Sequence, residues 1–330
     1  MSGPALELVC PAGTPAALRA AVDAGAHTIY CGFADETNAR NFPGLNFSRD
    51  EMAAGAAYAH KAGAKLLIAI NTFPRAGAED FWHRAVDDAE SAGADAVIMA
   101  DLGLLAYAAE HRPALRRHLS VQAAAANADA IMFYAEAFDV KRVVLPRVLS
   151  VEEIAAINRD IDVETEVFVF GGLCVMAEGR CSLSSYATGR SPNMNGVCSP
   201  ASHVVYGEEQ EELVSRLGGF TIHKVAKDAP APYPTLCKGC FSAGGHTGHV
   251  FEDPISLDAA ELIPRLAEAG VTALKIEGRQ RSRAYVSAVV KSFRRATDAI
   301  AAGQPVPVSE LAHLTEGQAS TLGAYRKIWR

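Results

Sequence analysis

The alternation of apolar and amphipathic segments constrains the fold of this chain more than any other feature of its sequence. Seven short apolar runs alternate with alanine-rich segments of helical periodicity through the first 170 residues. The runs predict strands at Leu6–Pro11, His27–Phe33, Lys65–Phe73, Ala94–Ala100, Leu119–Ala123, Lys141–Pro146 and Glu166–Phe170. Near-continuous apolar strands that alternate with helices are typical of a parallel sheet covered on both faces.

Capping residues predict where the intervening helices begin. Thr14 is the predicted N-cap of the first helix. Two further helices begin with a serine that has a glutamate three residues later, the spacing of a reciprocal capping box; these pairs are Ser48 with Glu51 and Ser150 with Glu153. The six predicted helices are Thr14–Ala24, Ser48–Lys61, Glu79–Ser91, Leu102–Arg112, Asn127–Phe138 and Ser150–Asn158.

The alternation stops after Phe170 and resumes near residue 255. Ser256–Glu268 predicts a helix, Val271–Ile276 an eighth strand, and Arg283–Ala302 a long final helix. No glycine-rich dinucleotide motif follows the first strand, so a closed (β/α)8 TIM-like barrel is favoured over an open doubly wound sheet. We therefore predict an α/β barrel from residues 1–170 and 255–302, a large cysteine-rich insertion after strand seven (171–254), and a partly disordered C-terminal tail (303–330).

The cysteine-rich insertion holds five of the seven cysteines of the chain. Six residues separate Cys174 from Cys181, sixteen separate Cys181 from Cys198, and thirty-eight separate Cys198 from Cys237. Four thiolates bind either an iron–sulfur cluster or structural zinc, and glycines nearby, such as Gly179 and Gly196, let backbone N–H groups approach sulfur. Zinc sites usually have paired short spacings, and only Cys237 with Cys240 has that form, so the cluster is favoured over zinc and over free thiols.

Several polar residues lie at or just after the ends of predicted strands. In a parallel barrel the strand ends and the loops that follow them build the binding site. The candidate pocket residues are Asn71, Asp101, Gln122, Arg147, Glu277 and Arg279. For Glu277 and Arg279, an ion pair at the barrel rim is an equal alternative.

Other chemistry-bearing residues have simpler interpretations. Cys10 and Cys31 end predicted strands and are expected to pack inside the barrel, because free cysteine is among the most buried residue types. His246 and His249 are expected in a solvated, glycine-rich loop rather than at a metal. The basic stretch Arg281–Arg295 is expected to be a solvated face.

Composition excludes some classes of function and favours one compartment. The net charge of −7 gives the chain no general attraction for phosphate backbones or anionic lipid. The N-terminus lacks a signal-peptide pattern and no apolar run approaches the length of a membrane span, so a cytoplasmic location is expected. In a reducing compartment, clustered cysteines indicate metal or redox chemistry. No hydrolase elbow, zinc-protease motif or phosphate-binding loop is present.

Four motifs carry a resemblance to a known family. The first runs from Glu166 through Cys174 to Ser184, and shorter ones are Cys10–Gly13, Ser120–Gln122 and Lys275–Arg279. They resemble the collagenase-like peptidase family, family U thirty-two, over most of the chain from about Leu6 to Ile300. The segment Phe170–Gly189, with the cysteine spacing, is similar to the branch of that family that acts in ubiquinone biosynthesis.

This resemblance implies a [4Fe-4S] cluster on Cys174, Cys181, Cys198 and Cys237. It also implies oxygen-independent hydroxylation of the ring of a quinone precursor, by a heterodimer with a UbiV-like subunit and together with a UbiT-like lipid-binding protein. Relatives in the family use prephenate as the oxygen donor. Other branches modify RNA, which leaves an RNA-hydroxylating protein as the alternative, and a cysteine-type peptidase is a second alternative. The acidic net charge counts against nucleic acid, and peptidase chemistry would need a thiolate paired with a histidine.

Overall fold

Eight parallel strands close into a barrel at the centre of the molecule. The structure, a computed structural model, describes residues 6–42, 44–174, 181–190, 192, 198–229 and 233–326. The barrel strands are β1 (Glu7–Pro11), β2 (Thr28–Cys31), β3 (Lys65–Ala69), β4 (Ala96–Met99), β5 (Arg116–Leu119), β6 (Val140–Val144), β7 (Glu164–Gly172) and, later in the chain, β14 (Ala273–Ile276). Each strand pairs with the next, and β14 pairs with both β7 and β1. This confirms the predicted (β/α)8 TIM-like barrel.

Helices surround the barrel in the order that the sequence predicts. They are α1 (Pro15–Asp23), α2 (Arg49–Lys61), α3 (Glu79–Ser91), α4 (Leu102–His111), α5 (Ala128–Phe138), α6 (Val151–Arg159), α8 (Ile263–Glu268) and α9 (Arg283–Ala301), with α7 (Ser182–Thr188) in the insertion. Both predicted capping boxes form, since Ser48 and Ser150 each exchange hydrogen bonds with the glutamate three residues later. Apolar faces of the helices pack on the buried strands and form one continuous core.

Two of the predicted boundaries near the barrel are wrong. The fifth strand is Arg116–Leu119, and the predicted Leu119–Ala123 continues instead as a 3-10 turn at Val121–Ala123. The segment predicted as one helix at Ser256–Glu268 begins with a strand, β13 (Ser256–Asp258), and only its second half is helical. β13 runs antiparallel to the end of β7 because Gly171 and Gly172 of β7 extend beyond the barrel and offer it a partner.

The cysteine-rich insertion folds into small sheets and turns. Its three-stranded antiparallel sheet comprises β8 (Val204–Glu209), β9 (Glu212–Leu217) and β10 (Phe220–Ala226), and a hairpin comprises β11 (Cys240–Ala243) and β12 (His246–His249). Leu217, Ile222 and Leu236 form a small core of their own. His246 and His249 therefore lie in a hairpin strand, which corrects the expected glycine-rich loop.

The C-terminal segment packs against the barrel and the insertion, so the expectation of a partly disordered tail is wrong for residues 304–326. Its strand β15 (Ser320–Thr321) pairs with β13. Tyr325 is buried, and its hydroxyl donates a hydrogen bond of 2.5 Å to the carbonyl of Phe168. Glu316 forms an ion pair with Lys238 of the insertion, and both side chains are less than 10% exposed. Residues 327–330 lie outside the described part of the chain.

Candidate functional site

A cavity of about 320 Å³ lies at the carboxyl ends of the barrel strands, beneath the insertion. Much of its wall is apolar, with Tyr30, Ile98, Val144 and Phe168 from the barrel strands, Leu173 after β7 and Leu183 from α7. The barrel strands thus contribute one side of the cavity and the insertion the other.

Four cysteine thiols line this one cavity. Cys174 lies two residues after the end of β7, Cys181 precedes α7, and Cys237 lies in the 3-10 turn Leu236–Lys238; Cys198 is the fourth. All four side chains are partly buried. Cys240 is exposed at the start of β11 and does not line the cavity. The fold therefore distinguishes Cys237, which lines the cavity, from Cys240, which does not; the spacing of the two cysteines in the sequence does not make this distinction. Gly179 and Gly196 lie outside the described residues.

Hydroxyl groups lie near two of these thiols. Ser184 Oγ lies 3.9 Å from the sulfur of Cys181, and Thr235 Oγ1 lies 3.4 Å from the sulfur of Cys237. Burial raises the pKa of the Cys198 and Cys237 thiols, so a cation or metal is needed to hold them as thiolates. No histidine is among the described residues that line the cavity, although His249 lies 3.0 Å from the carbonyl of Lys238, the residue after Cys237.

Four thiols that line one cavity are the ligand set of an iron–sulfur cluster and also of a structural zinc site. A zinc ion draws its four ligands to about 2.3 Å from one point, whereas an iron–sulfur cluster takes one thiolate on each of several irons and spreads its ligands apart. The donor set of this cavity is therefore chemically suited to hold a cluster.

Glu277 lies between two arginines at the cavity wall. Its carboxylate is 2.8 Å from the guanidinium of Arg147 and 3.5 Å from that of Arg40. Burial opposes the charged form of Glu277, but Arg147 and Arg40 outweigh it and lower the pKa of this carboxyl. The guanidinium of Arg147 also stacks on the ring of Phe168, at 3.5 Å from its centre. Glu277 thus pairs with Arg147 and Arg40, and among the described ion pairs none joins it to Arg279, the partner weighed for it from the sequence.

A well-anchored loop after β2 carries Arg40 into the cavity. The backbone of Arg40 donates to Asn38 Oδ1 at 3.0 Å and accepts from the side chain of Asn46 at 2.8 Å. Asn71, which follows β3, also anchors this loop, because its side-chain oxygen accepts a hydrogen bond of 3.0 Å from the backbone N–H of Ala39. The thiols of Cys198 and Cys174 lie near enough to Arg40 to act electrostatically on its charge. The loop therefore presents a fixed cation to the cysteines.

Five of the six predicted pocket residues line the cavity, namely Asn71, Gln122, Arg147, Glu277 and Arg279. The prediction for Asp101 is wrong. Its carboxylate accepts a hydrogen bond of 2.9 Å from the backbone N–H of Leu104, so it caps α4 instead of facing the cavity. An aspartate between a strand end and a helix can either line a pocket or cap the helix. Here it caps the helix, because the cap satisfies a backbone donor that would otherwise lack a partner.

Sequence reasoning missed three polar residues of the cavity. Arg40 was recognised only as part of a long polar loop, although that loop directly follows a strand end. Lys275 lies within β14 and bonds Glu166 at 2.5 Å, while its ammonium lies 3.8 Å from the ring centre of Tyr30. Lys238 follows Cys237 and pairs with Glu316. A lysine within an apolar strand was the available signal for Lys275, because such a charge requires a buried partner.

Cys10 and Cys31 are fully buried, in agreement with their interpretation as packing residues. Burial raises the pKa of both thiols, Cys31 to about 12. Neither lines the cavity among the described residues. These two cysteines are therefore inert at neutral pH.

Comparisons with known proteins assign the chain to a family. Residues 13–322 match the family described as Peptidase family U32. The tRNA hydroxylation protein P of Escherichia coli K12 is 34% identical, over 92% of this chain and 70% of that protein. The tRNA hydroxylation protein P1 of Bacillus subtilis 168 is 32% identical, over 90% of this chain and 64% of that protein. The 23S rRNA 5-hydroxycytidine C2501 synthase of E. coli K12 is 29% identical, over 89% of this chain and 40% of that protein.

The chain therefore spans about two thirds of the length of the two tRNA hydroxylation proteins and less than half of the rRNA synthase. A solved U32 peptidase superposes with a TM-score of 0.49 at 16% identity, covering 84% of this chain and 95% of that one. Among the described helices, none has the length and apolar character needed to cross a membrane.

Proposed function

The chain belongs to peptidase family U32, and from that premise we propose that it holds a [4Fe-4S] cluster on Cys174, Cys181, Cys198 and Cys237 and acts in the oxygen-independent hydroxylation of an aromatic ring. The observation that carries the proposal is the convergence of these four thiols, and not Cys240, on the cavity at the barrel mouth. The names of the relatives support a hydroxylation reaction in the same family.

The residues of this chain have distinct tasks in such a reaction. A bound cluster would supply one-electron transfer. Arg40, fixed by its loop, offsets the negative charge of the thiolates, and Glu277 in turn keeps Arg40 and Arg147 from repelling each other. The apolar wall at Phe168 and Val144 binds a ring and excludes water from it. Hydroxylation without dioxygen replaces a ring C–H by C–OH and requires a donor of the hydroxyl group that is itself reduced.

We propose the ring of a ubiquinone precursor as the substrate. The segment Phe170–Gly189 and the cysteine spacing resemble those of the ubiquinone biosynthesis protein UbiU. The largely apolar wall of the cavity suits a lipid-derived ring, and the net charge of −7 does not favour a polyanion.

The same resemblance supplies the proposed partners. A UbiV-like subunit would form a heterodimer with this chain, a UbiT-like lipid-binding protein would deliver the quinone precursor, and prephenate would be the oxygen donor. Activity of the isolated chain is not expected on this proposal, because the partner subunit is part of the active unit.

A base of RNA is the second candidate substrate, and the relatives favour it. The names of all three curated relatives described above specify tRNA or rRNA. A single flipped-out base is also a flat aromatic ring that a cavity of this kind can accept. On this candidate, exposed Arg281 and Arg283 beside the cavity would contact the phosphate backbone.

The first experiment is iron and sulfide analysis with an absorption spectrum, on protein purified without oxygen. We expect about four irons and four sulfides per chain, lost in Cys237→Ala and retained in the matched control Cys240→Ala. A colourless zinc protein, or equal iron in both variants, would refute the cluster assignment.

The second experiment separates the two substrates in anaerobic cells that lack this protein. Quinone analysis and nucleoside mass spectrometry are made on the same cultures, complemented with wild type or Cys174→Ala. Loss of ubiquinone with unchanged hydroxylated nucleosides supports the quinone ring. Loss of a hydroxylated nucleoside with normal ubiquinone would transfer the proposal to RNA.

A further inference from the structure

Six cationic side chains line the cavity, and four of them have carboxylate partners. Arg40 and Arg147 share Glu277, Lys238 pairs with Glu316, and Lys275 pairs with Glu166; the remaining two are Arg279 and Arg281. Arg281 is exposed, and its guanidinium lies over the ring of Tyr285, where water solvates it. Arg279 differs from the other five cations, because it is buried and has no carboxylate partner among the described residues.

Arg279 is held rigidly and has no described carboxylate within 4.0 Å. It is 7% exposed, and its side chain makes one hydrogen bond to a described residue, 2.8 Å to Asn38 Oδ1. A guanidinium carries five N–H donors, so most of them are left for another partner. The ring of Tyr30 lies on one side, with its centre 5.7 Å from the guanidinium carbon.

Two glycines show that this position is built closely. A methyl group at Gly13 would stand 1.8 Å from the carbonyl oxygen of Arg279, and one at Gly32 would stand 2.5 Å from the amide of Asn38. The backbone of Arg279 and the side chain of Asn38, which accepts from its guanidinium, thus both pack against backbone that only glycine allows to come so near. The side chain is prepared for a partner and is not free to turn towards solvent.

Arg279 lies in a different electrostatic environment from Arg40. The thiols of Cys198 and Cys174 are among the main influences on Arg40, whereas burial acts most strongly on Arg279, followed by Tyr30, Arg40, Cys31 and Glu277. Burial lowers the pKa of Arg279 to about 10, a direction that reflects an uncompensated buried charge. A buried cation without a counterion is costly, and an anion bound beside it removes that cost.

We propose that Arg279 binds the carboxylate of a small ring-bearing ligand, with the apolar wall beside Tyr30 and Phe168 receiving the ring. The inference rests on the proposed function in that the ligand would be the anionic oxygen donor of the hydroxylation. Arg279 would hold this donor on the barrel side of the cavity, away from the cysteines. Arg279 positions this ligand by a bidentate, charge-assisted pair, for which the planar guanidinium is suited and a lysine is not.

Calorimetric titration with benzoate and with its neutral isostere benzamide tests the proposal. On oxygen-free wild-type protein we expect benzoate to bind about 10-fold or more tightly than benzamide, since one charge-assisted hydrogen bond corresponds to about 1.5–3 kcal/mol. Arg279→Gln is expected to lose this preference, and Arg279→Lys to keep part of it. Arg295→Gln is the matched control, because it removes an exposed arginine of α9 that does not line the cavity, and it is expected to keep the preference.

Equal affinity of the wild type for the two probes, or no benzoate binding at all, would overturn the proposal without any variant. So would an undiminished preference in Arg279→Gln with normal circular dichroism and iron content. If Arg279→Gln does not fold, the wild-type comparison and Arg279→Lys decide. A chain that holds no iron yet prefers benzoate through Arg279 would refute the proposed cluster and leave this inference standing.

Discussion

Glu316→Gln tests whether the C-terminal segment stabilises the region that carries the cysteines. The Glu316 carboxylate pairs with the ammonium of Lys238, the residue after Cys237, and the two side chains are 9% and 6% exposed. Removing one member of a buried ion pair costs about 3–5 kcal/mol, because the other charge is left without a counterion. The neutral amide can still accept from Lys238, and the ammonium also lies 3.4 Å from the carbonyl of Ile255, so we expect about 3 kcal/mol.

The assay is thermal unfolding under nitrogen, followed by circular dichroism and by the visible absorbance of the protein. A loss of about 3 kcal/mol corresponds to a melting temperature about 4 °C lower for a chain of 330 residues. We also expect faster bleaching in air, because the turn that holds Cys237 opens more often. Glu310→Gln, an exposed glutamate of the same segment, is the matched control and should change neither value. A melting temperature of Glu316→Gln within about 1 °C of wild type would refute the reasoning.

Three further predictions concern residues elsewhere in the barrel. Asp101→Ala should cost about 1 kcal/mol of stability in urea unfolding through loss of its helix cap, while benzoate affinity stays unchanged; a changed affinity would restore Asp101 to the pocket. Burial opposes the charge of Glu7, but Arg142 outweighs it and lowers the pKa of Glu7 to about 2, from its ordinary value of 4.5. The resulting stabilisation of about 3 kcal/mol is present above pH 4.5 and lost as the pH falls towards 2, so Glu7→Gln should flatten this part of the stability–pH curve. Gly13→Ala should displace the backbone of Arg279 and weaken benzoate binding more than it changes iron content, as calorimetry and iron analysis would show.

Local rules predicted the barrel because each barrel element is specified within its own segment. Ser48 and Ser150 form the capping boxes that their spacing indicates, and the apolar runs form the buried strands. The insertion follows other rules. Strand β9 was missed because Glu212, Ser215 and Arg216 interrupt its apolar residues, and its pairing with β8 and β10 specifies it instead.

The cavity was predicted in part, for a related reason. Arg147 and Arg279 follow strand ends closely, so the barrel topology alone brings them together. Arg40 reaches the same cavity through a loop whose shape depends on side-chain contacts of Asn38 and Asn46, and such contacts leave no periodic signal. Asp101 and Asn71 both follow predicted strands, but Asp101 caps the next helix and Asn71 lines the cavity. The position of a residue after a strand therefore does not by itself predict that its side chain lines the pocket.

The two walls of the cavity come from separate parts of the chain. The four thiols all follow β7, whereas Arg40, Arg147 and Arg279 follow β2, β6 and β14. Substitutions at Arg147 or Arg279 can therefore change the barrel wall while the segments that carry the cysteines keep their sequence. A lineage built on this plan can keep one inherited centre while its descendants diverge in the molecules that they accept.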